Sequence, residues 1–177
     1  VYEVAAEHGA PVLLHTGATP FPNAMNEPEY YDPLALESVI IAYNGNSGSN
    51  RVEFVLSHVG GVDKRATDHA LELAEAHDNV WLEISATGSP MEIGADGEPV
   101  DSTTPRYHYI LEEALARGVV GQTIFASDGP QSSGKVKAYL WEIIEAMQAA
   151  GFSPDEMAAV LAGNFYRAYG LTPPEAQ

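Results

Sequence analysis

The stretch Phe125-Ala126-Ser127-Asp128-Gly129-Pro130 decides the fold. The apolar run from Thr123 to Ala126 is followed, after Ser127, by Asp128 and a Gly-Pro turn. Parallel-sheet proteins present a carboxylate at the C-terminal edge of a strand in this way, and their sites lie along that edge. We therefore predict that Asp128 belongs to a functional site at the C-terminal edge of a parallel sheet.

Two earlier apolar runs end in the same manner, each on a histidine that is soon followed by glycine. One is Val12-Leu13-Leu14-His15-Thr16-Gly17, and the other covers residues 52–61 and ends in His58-Val59-Gly60-Gly61. Because the C-terminal ends of parallel strands meet at one edge, we expect His15, His58 and Asp128 to lie close together. Imidazole and carboxylate groups suit zinc or manganese, so the three residues form a candidate metal site.

Strand and helix patterns alternate four times along the chain, which indicates a parallel α/β fold. The predicted strands are 11–15, 52–58, 80–86 and a fourth that begins at Thr123. The predicted helices are 2–8, 34–43, 63–77, 106–117, 136–150 and 153–169.

The connections between these elements are of unequal length. Long segments, 17–33 and 87–104, follow the first and third strands, whereas the helix-to-strand connections at 78–79 and 118–122 are short. A (β/α)8 TIM barrel separates its active face from its stability face in this way, and it needs eight strands. With four strands in view, we predict a single domain over residues 1–177 that forms half of such a barrel.

Composition narrows the possible partners and cofactors. The 177 residues include no cysteine, which excludes disulfides and thiolate ligands, so any metal must bind to histidine and carboxylate. A net charge of −17 argues against nucleic acid and anionic membranes as partners. The sequence has neither an apolar run near the roughly 18 residues of a membrane span nor a signal-peptide pattern, and we expect a cytoplasmic protein.

Four motifs together resemble the amidohydrolase superfamily, in its amidohydrolase-related branch, which includes aminocarboxymuconate-semialdehyde decarboxylase, aromatic-acid decarboxylases and lactone hydrolases. They are Pro11-Val-Leu-Leu-His15-Thr-Gly, Phe54-Val-Leu-Ser-His58-Val-Gly-Gly, Ile124-Phe-Ala-Ser-Asp128-Gly-Pro and Gly163-Asn164-Phe-Tyr-Arg-Ala-Tyr-Gly-Leu171. The resemblance covers nearly the whole chain and implies the C-terminal half-barrel, strands five to eight with their helices. The abrupt start at Val1 fits a chain truncated at its N-terminus.

The resemblance also implies a ligand set. The family holds a divalent metal at the barrel mouth with a His-x-His pair on strand one, a histidine on strand five and an aspartate on strand eight. His15 and Asp128 match the last two positions, and His58 matches a strand-six histidine that polarises the substrate or shuttles protons. The 177 residues contain no His-x-His.

The implied function is a metal-dependent hydrolase, with zinc or alternatively manganese activating water to attack an amide, lactone or ester of a small molecule. Asp128 would accept the proton of that water, and His58 would donate to the developing oxyanion. One alternative is a non-oxidative decarboxylase of a small aromatic or unsaturated acid that uses the same site. A sugar- or phosphate-binding barrel is disfavoured by the acidic charge and by the lack of a glycine-rich phosphate loop.

Several further residues are candidates for substrate binding or for structural roles. Arg65 could bind a substrate carboxylate or lie solvated on its helix, and Ser85 and Thr87 could line the pocket. Glu83 points either into the barrel or towards the helices, and a structural role is favoured, whereas Asn164 is expected to hold backbone. Exposed positions are predicted for four helical histidines, His8, His69, His77 and His108. Three aromatic residues of the first long loop could either cover a ligand or pack the loop down: Phe21, Tyr30 and Tyr31.

The remaining alternative is a non-catalytic half-barrel that associates with itself or with a missing N-terminal half. An open half-barrel exposes edge strands and an apolar sheet face, which must be covered. We therefore expect the isolated chain to form a homo-oligomer or a partly ordered state. Light scattering combined with denaturant unfolding checks this, and a monomer that unfolds cooperatively would contradict it.

Overall fold

A four-stranded parallel sheet with the order β1-β2-β3-β6 forms the centre of the molecule. The computed structural model describes residues 1–19, 21, 27–45, 50–88, 91–93, 99–101, 103–129 and 132–174, with backbone alone for 91–93 and 99–101. The strands are β1 (Val12–His15), β2 (Phe54–Ser57), β3 (Val80–Glu83), β4 (Met91–Ile93), β5 (Pro99–Asp101) and β6 (Thr123–Ile124).

Helices follow each strand of the parallel sheet, as the alternating pattern predicts. They are α1 (Tyr2–His8), α2 (Pro28–Tyr31), α3 (Glu37–Ala42), α4 (Lys64–Ala76), α5 (Arg106–Ala116), α6 (Lys135–Ala150), α7 (Pro154–Ala158) and α8 (Asn164–Ala168). Among the described residues, none of these helices has both the length and the apolar character needed to cross a bilayer.

The strands pair so that equivalent side chains lie side by side in rows. One row contains Leu14, Leu56, Leu82 and Thr123, and the next contains His15, Ser57, Glu83 and Ile124. Successive residues of a strand point to opposite faces, so the two rows lie on opposite faces of the sheet. The first row faces the helices, and the second faces the inner side of the partial barrel.

The main hydrophobic core lies between the sheet and the helices. Phe54, Leu56 and Leu82 are fully buried there and belong to the same cluster as side chains of α4, α5 and α6. The helical members include Leu71, Leu73, Ile110, Leu111, Ile143 and Met147. Burial of these large side chains, at about 1.5–3 kcal/mol each, is the main stabilisation of the described fold.

The inner face of the sheet is more open. Val55, Trp81 and Ile124 form a separate small cluster with Ala168 of the closing helix. Leu13, on the edge strand β1, remains 57% exposed. A closed barrel would bury such a residue, so this exposure is a direct consequence of the partial barrel.

The observed elements differ from the predicted ones mainly at their ends. The segment predicted as a long loop over 87–104 contains the antiparallel pair β4–β5. The predicted helix 34–43 begins as a 3₁₀ turn, Pro33–Leu36, since Asp32 accepts a hydrogen bond from the backbone of Leu34. A capping box of Ser153 and Glu156 begins α7, at the start of the predicted helix 153–169. A π-helical turn, Ala159–Gly163, interrupts this helix.

This closing helix fixes the strand that leads to Asp128. The side-chain amide of Asn164 donates to the carbonyl oxygens of Val120 and Thr123, at 2.7 and 2.6 Å. The backbone N–H of Phe125 donates to the carbonyl of Val160, inside the π-helical turn, at 2.9 Å. Asn164 is completely buried and holds backbone, as its sequence context predicts.

Replacement of Asn164 by alanine is expected to lower the free energy of unfolding by about 2 kcal/mol. The reason is that two buried carbonyl groups would lose their donor, and each unsatisfied buried group is costly. Urea denaturation measures the change. Gln148→Ala, at an exposed position of α6, is the control and should change stability by less than about 0.5 kcal/mol. Equal effects of the two substitutions would contradict the assigned role of Asn164.

Candidate active site at the C-terminal edge of the sheet

Three strands of the parallel sheet are followed by a non-glycine residue in the left-handed region of backbone conformation. His58 follows β2 with φ = 68°, Ala86 follows β3 with φ = 55°, and Asp128 follows β6 with φ = 48°. Such conformations cost on the order of 1 kcal/mol or more each for residues that carry a Cβ, and they cluster at functional sites. Their concentration at one edge of the sheet marks this edge as the candidate site.

The histidines predicted from the strand ends lie against each other. The rings of His15 and His58 meet edge to face, with their centroids 4.8 Å apart. Asp128 is close enough to His15 for its charge to act on the imidazole. The fold therefore brings together the three residues that the sequence pattern singled out.

Two cavities meet at these residues. The outer cavity, of about 550 Å³, opens among the loops that follow the strands. The inner cavity, of about 410 Å³, lies along the inner face of the sheet. His15, His58 and Asp128 line both cavities, so they stand at the boundary between the loop region and the partial barrel.

The outer cavity combines polar groups with apolar and aromatic walls. Its lining residues are His15, Ala18, Thr19, Phe21, His58, Gly61, Val62, Ala86, Gly88, Ser127, Asp128, Lys135, Ala138, Tyr139 and Glu142. The volume and the lining of the outer cavity are typical of a site that binds a small molecule.

The pKa of His15 lies below its ordinary value. Partial burial of the ring is the largest cause, and the neighbouring His58 lowers the pKa further. A hydrogen bond with the backbone of Gly17 and the charge of Asp128 act in the opposite direction. A lowered pKa keeps the imidazole neutral at neutral pH, which is the form that binds metal ions.

Close backbone contacts hold the two histidine-bearing turns together. Thr16 donates from Oγ1 to the carbonyl of Ser57 at 2.8 Å and accepts from the N–H of Gly60 at 3.3 Å. A Cβ on Gly17 would lie 1.7 Å from the carbonyl carbon of Gly60, and a Cβ on Gly60 would lie 2.2 Å from the N atom of Thr67. Glycine is therefore required at both positions, which explains the His-x-Gly and His-x-Gly-Gly patterns.

The substitution Gly60→Ala is expected to lower the free energy of unfolding by about 3 kcal/mol or more, or to abolish cooperative unfolding. The new methyl group would combine a positive φ of 84° with a backbone clash. Gly9→Ala is the matched control, because Gly9 has φ = 62° and open space around it. Gly9→Ala should lower the free energy of unfolding by only about 1 kcal/mol. Thermal and urea unfolding of both variants measure the difference, and similar losses would show that the contact does not constrain the turn.

The three candidate substrate-binding residues have different environments. Arg65 is exposed on α4, with its guanidinium 3.9 Å from Asp63, and it does not line either cavity described above. Thr87 is completely buried and its hydroxyl bonds to Tyr139 and to the carbonyl of Ile84, so it supports a cavity wall from behind. Ser85 lines the inner cavity and contacts His58.

Glu83 faces the inner side of the partial barrel, which resolves the two orientations that its sequence position allows. It is buried and lines the inner cavity. Its carboxylate accepts hydrogen bonds from the backbone N–H and the hydroxyl of Ser85, both at 3.0 Å. A buried carboxylate is costly unless it is hydrogen-bonded, and these two bonds offset that cost.

Three of the four helical histidines are not simply exposed, in contrast to the prediction. His108 is partly buried, and the centroid of its ring lies 4.8 Å from that of Tyr107. His69 bonds through Nδ1 to the carboxylate of Asp32 at 2.8 Å, and His77 is partly buried, 3.8 Å from Glu37. For His69 and His77 the mismatch arises because helix α4 packs against the preceding 3₁₀ turn, a tertiary contact that helical periodicity does not show.

The three aromatic residues of the first long loop also have different environments. Phe21 lines the outer cavity, whereas Tyr30 is exposed and Tyr31 is buried, its hydroxyl donating to Asp63 at 2.7 Å. The pKa of Tyr31 rises to about 12, mainly through burial and also through this bond. Tyr31 thus anchors the loop to the N-cap residue of α4 and does not cover a ligand.

The sequence pattern did not predict that helix α6 lines the outer cavity. Lys135, Tyr139 and Glu142 all line it. Their spacing of four and three residues along one helix face was the available signal, but the same spacing fits an ordinary amphipathic helix. The pKa of Tyr139 lies well above its ordinary value because of burial, so its phenol stays protonated.

The chemistry of the converging side chains suits a divalent cation, but their number is small. Across the described parts of the chain, no three histidine, aspartate or glutamate side chains are grouped closely enough to hold a metal ion. The described residues therefore do not form the three-residue metal site predicted from the strand ends, although imidazole and carboxylate are suitable ligands for such a cation.

The fold and the position of the site define the class of protein: an α/β protein with part of a TIM-type barrel and a cavity at the C-terminal ends of its strands. An amidohydrolase family model matches residues 1–171. The chain belongs to the amidohydrolase family.

Solved structures share this fold. A probable 2-pyrone-4,6-dicarboxylic acid hydrolase from Acinetobacter baumannii, with citric acid bound, is 18% identical with a TM-score of 0.54, over 91% of this chain and 52% of that one. An amidohydrolase from Burkholderia multivorans with bound zinc is 15% identical with a TM-score of 0.59, over 97% of this chain and 56% of that one. The chain therefore spans about half the length of these structures. No protein of curated function matches it.

Proposed function

We propose that this chain contributes its site to a metal-dependent hydrolase that cleaves a C–O or C–N bond of a small molecule. The observation that carries the proposal is the convergence of His15, His58 and Asp128 between two cavities at the C-terminal edge of the sheet. Membership of the amidohydrolase family supports it.

His15 and Asp128 would hold the cation, since neutral imidazole and carboxylate are its usual protein ligands. Zinc is the preferred candidate, supported by the zinc in the Burkholderia multivorans structure, and manganese is the alternative. When bound, the cation supplies Lewis-acid activation of water and of the substrate carbonyl. Any further ligand would come from a second copy of the chain, in the homo-oligomer that the sequence predicts.

His58 is the proposed proton-transfer group. Its ring lines both cavities and lies against His15, so it can reach a water or a substrate atom placed between His15 and Asp128. A positioned imidazole contributes about 10²- to 10⁴-fold to such reactions. Asp128, exposed to the cavity at the end of its strand, would assist in orienting the attacking water.

The cavity lining favours a small and partly apolar substrate. Phe21 and Tyr139 supply aromatic walls, and Lys135 supplies a cation suited to a carboxylate. A lactone or ester that carries a carboxylate would fit this lining, and the Acinetobacter baumannii neighbour is described as a hydrolase of a pyrone dicarboxylic acid. We therefore prefer hydrolysis to the decarboxylation that the same residues could support.

Zinc binding and ester hydrolysis by the 177-residue chain test this proposal together. His15→Ala with Asp128→Ala should weaken zinc binding at least about tenfold in a calorimetric titration, because two donors are lost. His58→Ala should retain zinc binding but lower the hydrolysis of small lactones and esters by about 100-fold or more, because proton transfer is lost.

The matched control is His8→Ala with Glu72→Ala, which removes one imidazole and one carboxylate from exposed helical positions. It should leave zinc affinity and hydrolysis unchanged. If the control and the site variant bind zinc equally well, the proposed ligands are wrong. If His58→Ala hydrolyses at the original rate, the proposed proton-transfer role is wrong.

A further inference from the structure

A buried hydrogen-bond chain leads from Glu83 through Ser85 to His58. Glu83 and Ser85 are only 6% and 2% exposed. One carboxylate oxygen of Glu83 accepts from the backbone N–H of Ser85, and the other accepts from its hydroxyl, each at 3.0 Å. The Ser85 hydroxyl oxygen lies 3.0 Å from Nδ1 of His58. These hydrogen bonds thus connect the buried Glu83 carboxylate with the imidazole of His58.

The direction of these hydrogen bonds determines where the His58 proton lies. The hydroxyl hydrogen of Ser85 is given to Glu83, so its oxygen can act only as an acceptor towards His58. Nδ1 of His58 also lies 3.2 Å from the carbonyl oxygen of Ser85, which has no proton to donate. Both neighbours of Nδ1 are therefore acceptors, and Nδ1 must carry the proton.

We infer that Glu83 and Ser85 are positioning residues that fix His58 as the Nδ1–H tautomer and leave Nε2 with a free lone pair. The hydrogen bond at one ring nitrogen determines the state of the other. A neutral His58 in this state is a proton acceptor at Nε2, not a donor. This assignment changes the order of proton transfers expected from the sequence, in which His58 donates to the oxyanion from the start.

The consequence for catalysis rests on the proposed hydrolase function. As a water oxygen bonds to the substrate carbonyl carbon, one water proton moves to Nε2 of His58. The resulting imidazolium is stabilised by the Ser85 acceptors and the Glu83 carboxylate behind them. When the C–O or C–N bond breaks, that proton moves from Nε2 to the leaving oxygen or nitrogen, which restores the neutral imidazole.

The tautomer can be measured directly by ¹⁵N NMR of the histidine rings in the full 177-residue chain, in chelating buffer and without substrate. The spectra are recorded at about pH 8.5, well above the ordinary pKa of imidazole in general. His58, assigned by the loss of its signals in His58→Ala, should show a protonated Nδ1 and an unprotonated Nε2. A protonated Nε2 in the unmodified chain would overturn the inference.

Glu83→Gln gives a sharper test because it should reverse the direction of the hydrogen bonds that link residue 83, Ser85 and His58. The amide oxygen must face the Ser85 N–H, so the amide NH₂ faces the Ser85 hydroxyl oxygen and donates to it. The hydroxyl hydrogen is then free to turn towards Nδ1 of His58. We expect the tautomer ratio to move on the order of tenfold towards Nε2–H, the effect of one hydrogen bond of this kind.

Two further variants, Ser85→Ala and Glu83→Gln with Ser85→Ala, distinguish a relay, in which Glu83 acts on His58 through the Ser85 hydroxyl, from a simple structural disturbance. Ser85→Ala removes the hydroxyl but keeps the carbonyl acceptor, so His58 should remain mainly Nδ1–H. In Glu83→Gln with Ser85→Ala, no hydroxyl can turn, and the shift caused by Glu83→Gln should disappear. A shift that persists in the double variant would overturn the relay.

Glu72→Gln, at an exposed position of α4, is the matched control and should leave the His58 signals unchanged; a comparable shift in this variant would overturn the inference. The tautomer is measured without metal or substrate, so it is independent of the activity assay. A chain that shows the expected tautomer and hydrolyses no ester would contradict the proposed function and leave the assignment of Glu83 and Ser85 standing.

Discussion

The rest of the structure depends on the parallel pairing that places His15, Ser57, Glu83 and Ile124 in one row across the sheet. A shift of one residue in any strand would move its member of this row to the helix-facing side. The register is secured by the opposite face, where Leu56 and Leu82 are fully buried against helices. The apolar core therefore determines which polar side chains reach the candidate site.

Backbone contacts at the strand ends, together with the strand register, fix the positions of the candidate site residues. The turns after β1 and β2 pack backbone against backbone, which requires Gly17 and Gly60. The strand before Asp128 is held by the closing helix, through Asn164 and the π-helical turn. With these contacts in place, His58 and Asp128 adopt left-handed conformations that they would otherwise avoid.

The sequence predicted the parallel α/β architecture and the meeting of three side chains, because strand ends followed by glycine are local features. It did not predict that Tyr139 and Lys135 line the cavity or that Tyr31 is buried on Asp63. Those outcomes depend on how α6 and the first long loop pack against the sheet, which single-sequence periodicity does not contain. The orientation of Glu83 stayed open for a similar reason, since alternation gives two faces without identifying them.

The position of Glu83 distinguishes a structural role from a chemical one. Side chains deeper on the same inner face, Val55 and Trp81, are apolar or largely so and pack with Ile124 and Ala168. Another apolar residue at position 83 would stabilise this cluster without the desolvation cost of a carboxylate. The two hydrogen bonds from Ser85 offset that cost but create no contact that the fold requires elsewhere. A buried carboxylate at this position, connected through one hydroxyl to the imidazole between two cavities, is best explained by what it does to His58.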